Sequence, residues 1–156
     1  MDVATDMKRI RYLIGYCPQF DALLDKLTAK QHLELYAAIK GIPSHLRERL
    51  IQEKLKQLNL TKFEHVQAGT YSGGNKRKLS VAIALLGNPP IVFLDEPSSG
   101  MDPEARRFMW SVVSKVSSQT KKSSIILTTH SMEEAEALST KLAIMVEGKI
   151  KCIGPV

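Results

Sequence analysis

The chain has 156 residues, 44% hydrophobic and 24% charged, enough for one domain with a real core. No apolar run approaches the ~20 residues a bilayer crossing needs, and the N-terminus lacks a signal-peptide pattern, so the chain taken alone is expected to be soluble. The net charge of +6 comes from 22 basic and 16 acidic residues, scattered along helical stretches or held in short clusters, Lys76-Arg77-Lys78 and Lys121-Lys122; with no aromatics interleaved, this argues for a solvated surface and against a nucleic-acid partner.

In chain order, "YLIGYC" (12–17) is expected to form a strand that gives way to a loop at Pro18. Cys17 within it and the distant Cys152 are too few for a disulfide framework and lack metal spacing, which favours a reducing compartment and a place in the core or at an edge. Thr28 and Gln31 have capping-box spacing ahead of a helix with Leu33, Tyr36 and Ala37 on its apolar stripe, ended by Gly41 and Pro43. Ser44 is placed to cap a second helix with Leu46, Leu50, Leu55 and Leu58 on one face. A third helix follows "YSGGN" and runs to Leu86, and Gly87 and Pro89 end it.

The period then changes. "IVFL" (91–94) and "SIILTT" (124–129) are continuous apolar runs, expected to be strands covered on both faces. Between them Asp102-Pro103 opens a helix with Phe108, Met109, Val112, Val113 and Val116 as its buried stripe, on which Trp110 is expected to pack without a further role. Ser131 and Glu134 have capping-box spacing for the next helix, and two strands flank Glu147-Gly148. Strand–helix alternation predicts an α/β fold with a mainly parallel sheet, interrupted over residues 21–88 by an all-helical lobe.

Ligands of open α/β sheets sit beyond the carboxyl ends of the strands. Gln19 follows the first strand, Asp95 and Glu96 the second and His130 the third, so three strands deliver polar groups to one edge. These groups suit phosphoryl transfer: Asp95 as a Mg²⁺ ligand, Glu96 as the base that polarises a water, His130 as a donor to a terminal phosphate oxygen, and Gln19 as an amide that orients water or metal. Ser72, Gly73 and Gly74 stand where the third helix begins, and glycines at a helix N-terminus let backbone N–H groups approach an anion. Lys76 and Arg77, one turn on, are expected to add positive potential to such a phosphate cradle. A G-x-x-x-x-G-K-[ST] loop is absent; at the one Gly-Lys pair, Gly148-Lys149, Ala143 stands where the earlier glycine is required and Ile150 follows.

The ordered set of Gln19, "YSGGN" (71–75), "IVFLDEP" (91–97), "SSGMD" (98–102) and His130 resembles the nucleotide-binding domain of ABC transporters over nearly the whole chain. The resemblance implies a P-loop-NTPase-like core (1–20 and 89–156) with an inserted signature lobe (21–88), ATP and Mg²⁺ as cofactors, and Gln19 at the Q-loop. It implies Ser72, Gly73, Gly74 and Asn75 at the signature motif, Asp95 as the Walker B acid, Glu96 as the catalytic glutamate, Ser99 to Asp102 as the D-loop and His130 as the switch histidine. Tyr71 and Asn75 depart from the common Leu and Gln, and with "GYCPQFDAL", "DEPSSGMDP" and "HSMEEAEAL" look like the second nucleotide-binding domain of subfamily A, many members of which move lipids.

In that family the Walker A loop lies upstream of the Q-loop, so the chain is expected to match the C-terminal two-thirds of such a domain and to lack appreciable Mg-ATP affinity and turnover by itself. The implied partners are a second nucleotide-binding domain, whose Walker A faces this signature, and transmembrane domains of the same transporter, with this domain on the cytoplasmic side of the membrane. Two other readings remain open at this point: a soluble ABC-type ATPase acting on DNA or ribosomes, and a non-catalytic interaction segment.

Overall fold

Three parallel strands organise the chain and aim its polar loops to one side. The computed structural model describes residues 2, 4–120 and 123–156; the Lys121-Lys122 cluster lies outside the described residues. Helix α1 (Met7–Leu13) leads directly into β1 (Ile14–Cys17). The first strand therefore starts two residues later than "YLIGYC" suggests: Tyr12 and Leu13 complete the last turn of α1, and the backbone becomes extended at Ile14, with φ −110° and ψ 134°.

Strand β2 (Ile91–Asp95) lies between β1 and β3 (Ser124–Thr128), parallel to both. Register places Cys17 beside Leu94 and Asp95 beside Thr128, so the strands end together. Gly15, Cys17, Val92, Leu94, Ile125 and Leu127 share the covered face. On the opposite face Tyr16, Phe93 and Ile126 form a cross-strand row, with Tyr16 58% and Ile126 52% exposed. The apolar runs of β2 and β3 are thus covered on one face only, against the two-sided burial their composition suggests; no described helix packs over the second face.

Helix α2 (Ala29–Ile39) begins in a complete capping box: the Gln31 N–H donates to Thr28 Oγ1 at 3.2 Å and the Thr28 N–H to Gln31 Oε1 at 2.9 Å. Helix α3 (Ser44–Gln57) has Pro43 at its cap position, so Ser44 is the first helical residue and caps nothing. Its core stripe runs through Ile51, Leu55 and the following Leu58, while Leu46 is exposed. Two single-turn 3-10 helices (Thr61–Phe63 and Ala68–Thr70) lead to α4 (Gly73–Leu85), whose C-terminal half, Leu79 to Leu85, is buried against β1. The approach is close enough that a Cβ on Gly15 would stand 2.1 Å from the Ala84 carbonyl oxygen, so only glycine fits there.

Helix α5 (Pro103–Thr120) buries Met109, Val112, Val113 and Val116, and Asp102 caps it by accepting the Ala105 N–H at 2.9 Å. Helix α6 (Met132–Leu138) has half of its expected capping box. Ser131 accepts the Glu134 N–H at 3.3 Å, but the Glu134 carboxylate does not reach back. It is buried and accepts the indole N–H of Trp110 at 2.9 Å, so Trp110 ties α5 to α6 as well as packing. An antiparallel hairpin, β4 (Lys141–Val146) and β5 (Lys149–Pro155), follows. Its turn residues Glu147 and Gly148 both have positive φ, as a type I′ connection requires. Among the described residues no helix is long and apolar enough to cross a membrane.

Candidate functional site

Because β2 and β3 are adjacent and end in register, Asp95 and Thr128 face each other at the sheet's carboxyl edge. The Thr128 hydroxyl donates to Asp95 Oδ1 and accepts the Glu96 N–H at 3.2 Å; the same N–H lies 3.1 Å from the Thr128 carbonyl. One threonine thus holds both acids. Glu96 adopts the left-handed conformation, φ +50°, uncommon for a residue with a side chain and a form of strain that collects at functional sites. Its carbonyl accepts the Ser99 N–H at 3.1 Å, closing the turn, and its carboxylate Oε2 stands 2.9 Å from His130 Nδ1. The Glu96 side chain is 16% exposed and the His130 side chain 79%, so the pair is anchored on the acid's side and open to solvent on the imidazole's.

The loop after β1 reaches this edge through Arg77 of α4, which is buried. Its Nη1 donates to the carbonyls of Pro18 and Gln19, the latter at 3.2 Å, and to Asp21 Oδ1 at 3.3 Å. Its Nη2 donates to the Asp95 carbonyl and, at 2.8 Å, to that of Glu96; Nε donates to the Pro97 carbonyl at 3.2 Å. The expectation that Arg77 belongs to a phosphate cradle is therefore corrected: it points into the molecule and every one of these partners is an oxygen of the chain. Lys76 is not free for it either, standing 3.7 Å from Asp25. The Gln19 side chain is exposed and makes no hydrogen bond among the described residues.

Ser72, Gly73, Gly74 and Asn75 form a separate surface. Ser72 is the N-cap of α4, its hydroxyl accepting the Asn75 N–H at 3.3 Å. Tyr71, buried just before it, donates its hydroxyl to the Phe63 carbonyl at 2.6 Å and packs edge-on against the Phe63 ring, fixing where the helix begins. Around Gly73 a Cβ would meet nothing within 4 Å, and at Gly74 only the Met101 methyl at 4.0 Å. The side-chain positions of both glycines are thus unobstructed, which leaves room for an anion to approach the helix start.

A family model described as ABC transporter matches residues 2–99. The chain belongs to the ABC transporter family. It is 51% identical over 154 residues to ATP-binding cassette sub-family A member 2 of Homo sapiens, covering 99% of this chain and 6% of that protein. It is 49% identical over 154 residues to the human retinal-specific phospholipid-transporting ATPase ABCA4, covering 99% and 7%. To the human phospholipid-transporting ATPase ABCA3 it is 51% identical over 152 residues, covering 97% and 9%. The chain thus spans less than a tenth of the length of these curated relatives. A solved ATP-binding subunit of an ABC transporter superposes with a TM-score of 0.87 at 27% identity, covering 100% of this chain and 64% of that one. A dimeric ATP-binding cassette bound to ADP and Pi shares the fold, with a TM-score of 0.85 at 24% identity over 99% of this chain and 68% of that one.

As an ABC cassette segment, the chain is suited in its groups to a nucleotide and a hard cation. Asp95 keeps Oδ2 without a partner among the described residues while Oδ1 is held by Thr128. No three of His, Cys, Asp and Glu among the described residues stand close enough to hold an ion by themselves. A single carboxylate with one oxygen free fits the needs of Mg²⁺, which takes one or two protein carboxylates and fills its shell with water and phosphate oxygens. Thr128 is the site residue that sequence reasoning missed, and Arg77 is one to which it gave another role. Thr128 had a signal, a hydroxyl at the end of the third strand facing the acid of the second; Arg77 had none, since a cation in the first turns of a helix reads as solvated or anion-facing.

Proposed function

We propose that this chain is part of the ATP-hydrolysing motor domain of an ABC transporter that moves lipid, with residues 1–20 and 89–156 in the catalytic α/β core and 21–88 as the signature-bearing lobe. The observation that carries the reading is the Glu96–His130 contact at 2.9 Å, beside Asp95 at the carboxyl edge of a parallel sheet. Bound Mg²⁺ would neutralise charge developing on the phosphates. Asp95 would hold that ion through its free carboxylate oxygen, and the exposed Gln19 amide would be the second ligand. Glu96 accepts a proton from the attacking water, and His130 orients the Glu96 carboxylate and presents its other ring nitrogen toward the terminal phosphate.

Ser72, Gly73, Gly74 and Asn75 take the phosphates of a nucleotide held by a second nucleotide-binding domain, with Ser99 and Asp102 beside the same junction. The open surroundings of Gly73 support that placement. Membrane association comes through transmembrane domains of the parent protein, with this domain on the cytoplasmic side. Lipid as cargo is supported by relatives near 50% identity whose names describe phospholipid transport.

The test is Glu96→Gln in the full-length transporter. Turnover of Mg-ATP falls at least ~100-fold while ATP binding persists, since a general base contributes roughly 10²–10⁴-fold. Near-normal hydrolysis by that variant removes Glu96 as the base and with it the proposed mechanism.

A further inference from the structure

A single side chain joins the two loops of the catalytic edge to the helix that opens the signature surface. Arg77 belongs to α4, one turn from Gly73 and Gly74, yet its guanidinium bonds five backbone carbonyls of the core: Pro18 and Gln19 after β1, and Asp95, Glu96 and Pro97 after β2. Its remaining partner, Asp21, is itself held by the Ser80 hydroxyl at 2.7 Å, on the same helix one turn further along. A planar fork with five N–H groups can reach five carbonyls on two loops at once, whereas a lysine ammonium, with three donors from one point, serves three at most.

By binding the carbonyls of Asp95 and Glu96, Arg77 holds the peptide planes of the backbone from which those two side chains leave. Glu96 sits at φ +50°, and the turn that holds it there directs its carbonyl to Arg77 and its side chain to His130. Without the fork, the Glu96 carbonyl keeps only the Ser99 N–H, and the left-handed conformation of Glu96 loses one of its supports. We propose that Arg77 is a positioning residue that couples the start of α4 to the aim of Glu96, so that a ligand seated on Ser72, Gly73 and Gly74 and the readiness of the base reinforce one another. The inference rests on the proposed role of Glu96 in hydrolysis.

The test uses the full-length transporter carrying Arg77→Gln, Arg77→Lys, Asp21→Asn or Glu96→Gln, with turnover expressed per molecule of ATP bound, so that loss of folded protein does not count. Arg77→Gln and Arg77→Lys both lower kcat about tenfold or more, with KM for ATP within about twofold of wild type, because both remove the fork and the lysine variant does so while keeping the charge. Asp21→Asn, a milder change that leaves the arginine in place, lowers kcat about threefold, and combining it with Arg77→Lys adds little, as expected of two groups acting through one contact.

Wild-type kcat in Arg77→Lys, a rise in KM with kcat unchanged, or multiplicative effects of Asp21→Asn and Arg77→Lys each overturn the positioning role. If the arginine variants do not fold, Asp21→Asn decides alone, and an unchanged kcat there overturns it. Should Glu96→Gln hydrolyse ATP normally, the reading of the site fails first; an inactive Glu96→Gln beside a normal Arg77→Lys removes only the positioning role of Arg77.

Discussion

The two polar surfaces proposed to meet a nucleotide are built in opposite ways. At the carboxyl edge of the sheet each acid is braced: Asp95 by the Thr128 hydroxyl, Glu96 by the same threonine through its N–H and by His130 through its carboxylate. At the start of α4 the glycines are bare, and Ser72 spends its hydroxyl on its own helix. The contrast fits what each surface is proposed to do. A general base and a metal ligand act through side chains that lose effectiveness when displaced by an ångström, so their orientation must be fixed before the reaction. An anion site made of backbone N–H groups is already fixed by the helix, and needs only that nothing obstruct the approach.

Substitution at Gly73 gives the largest effect that tests this contrast. Gly73→Asp puts a carboxylate into open space at a helix N-terminus, where a negative charge is mildly stabilising. In the full-length transporter, thermal unfolding should be unchanged or slightly raised while ATP turnover falls ~100-fold, because like charges brought together at a binding surface cost several kcal/mol. Turnover within twofold of wild type would show that no anion comes to the start of α4, and the division into two surfaces would break down.

Thr128→Val is the matching change on the braced edge, and it should behave differently. Valine keeps the shape but removes the donor to Asp95 and an acceptor of the Glu96 N–H. Loss of one intramolecular hydrogen-bonding group is worth on the order of 1 kcal/mol, so turnover should drop about tenfold, accompanied by a small loss of thermal stability. If stability and turnover are both untouched, the threonine is not a brace and the edge is no better organised than the helix start.

How much of this was legible in the sequence depended on whether a residue's local pattern matched its surroundings. Asp95, Glu96 and His130 were legible because each interrupts a strand pattern at its carboxyl end, and in a parallel sheet such ends lie side by side. The Thr28–Gln31 capping box was legible because its chemistry is local. Glu134 has the same spacing behind Ser131, yet its carboxylate goes to Trp110, a partner 24 positions away on another helix that no local pattern reveals. Arg77 was misread for the same reason: its partners come from loops after two different strands. The runs "IVFL" and "SIILTT" suggested two covered faces, since composition reports what a strand tolerates and not what is packed on it; Ile126 remains half exposed.

The smallest effect concerns the opposite end of α4, where the comparison can be sharpened within one helix. Its start is bare, but its last carbonyls are met by Lys40 of the residue following α2, which donates from Nζ to the Leu86 carbonyl at 3.1 Å and the Ala84 carbonyl at 3.4 Å. Burial, with the nearby Lys54 charge as the lesser cause, pushes the Lys40 ammonium down to about 8 from an ordinary 10.5. A group with a depressed cationic pKa binds fewer protons folded than unfolded between those two values, so the stability of this region rises with pH from about 8 to about 10.5, and the full cost of the buried charge is present below 8.

With solvent screening at a partly exposed amine, the gain is on the order of 1 kcal/mol. Amide hydrogen exchange at Ala82 to Leu86 in the full-length protein, corrected for intrinsic rates, should show protection growing over that window in wild type and flat in Lys40→Met. Equal pH dependence in both would mean that the C-terminal end of α4 is no more tightly held by a buried cation than its bare N-terminal end is by Ser72.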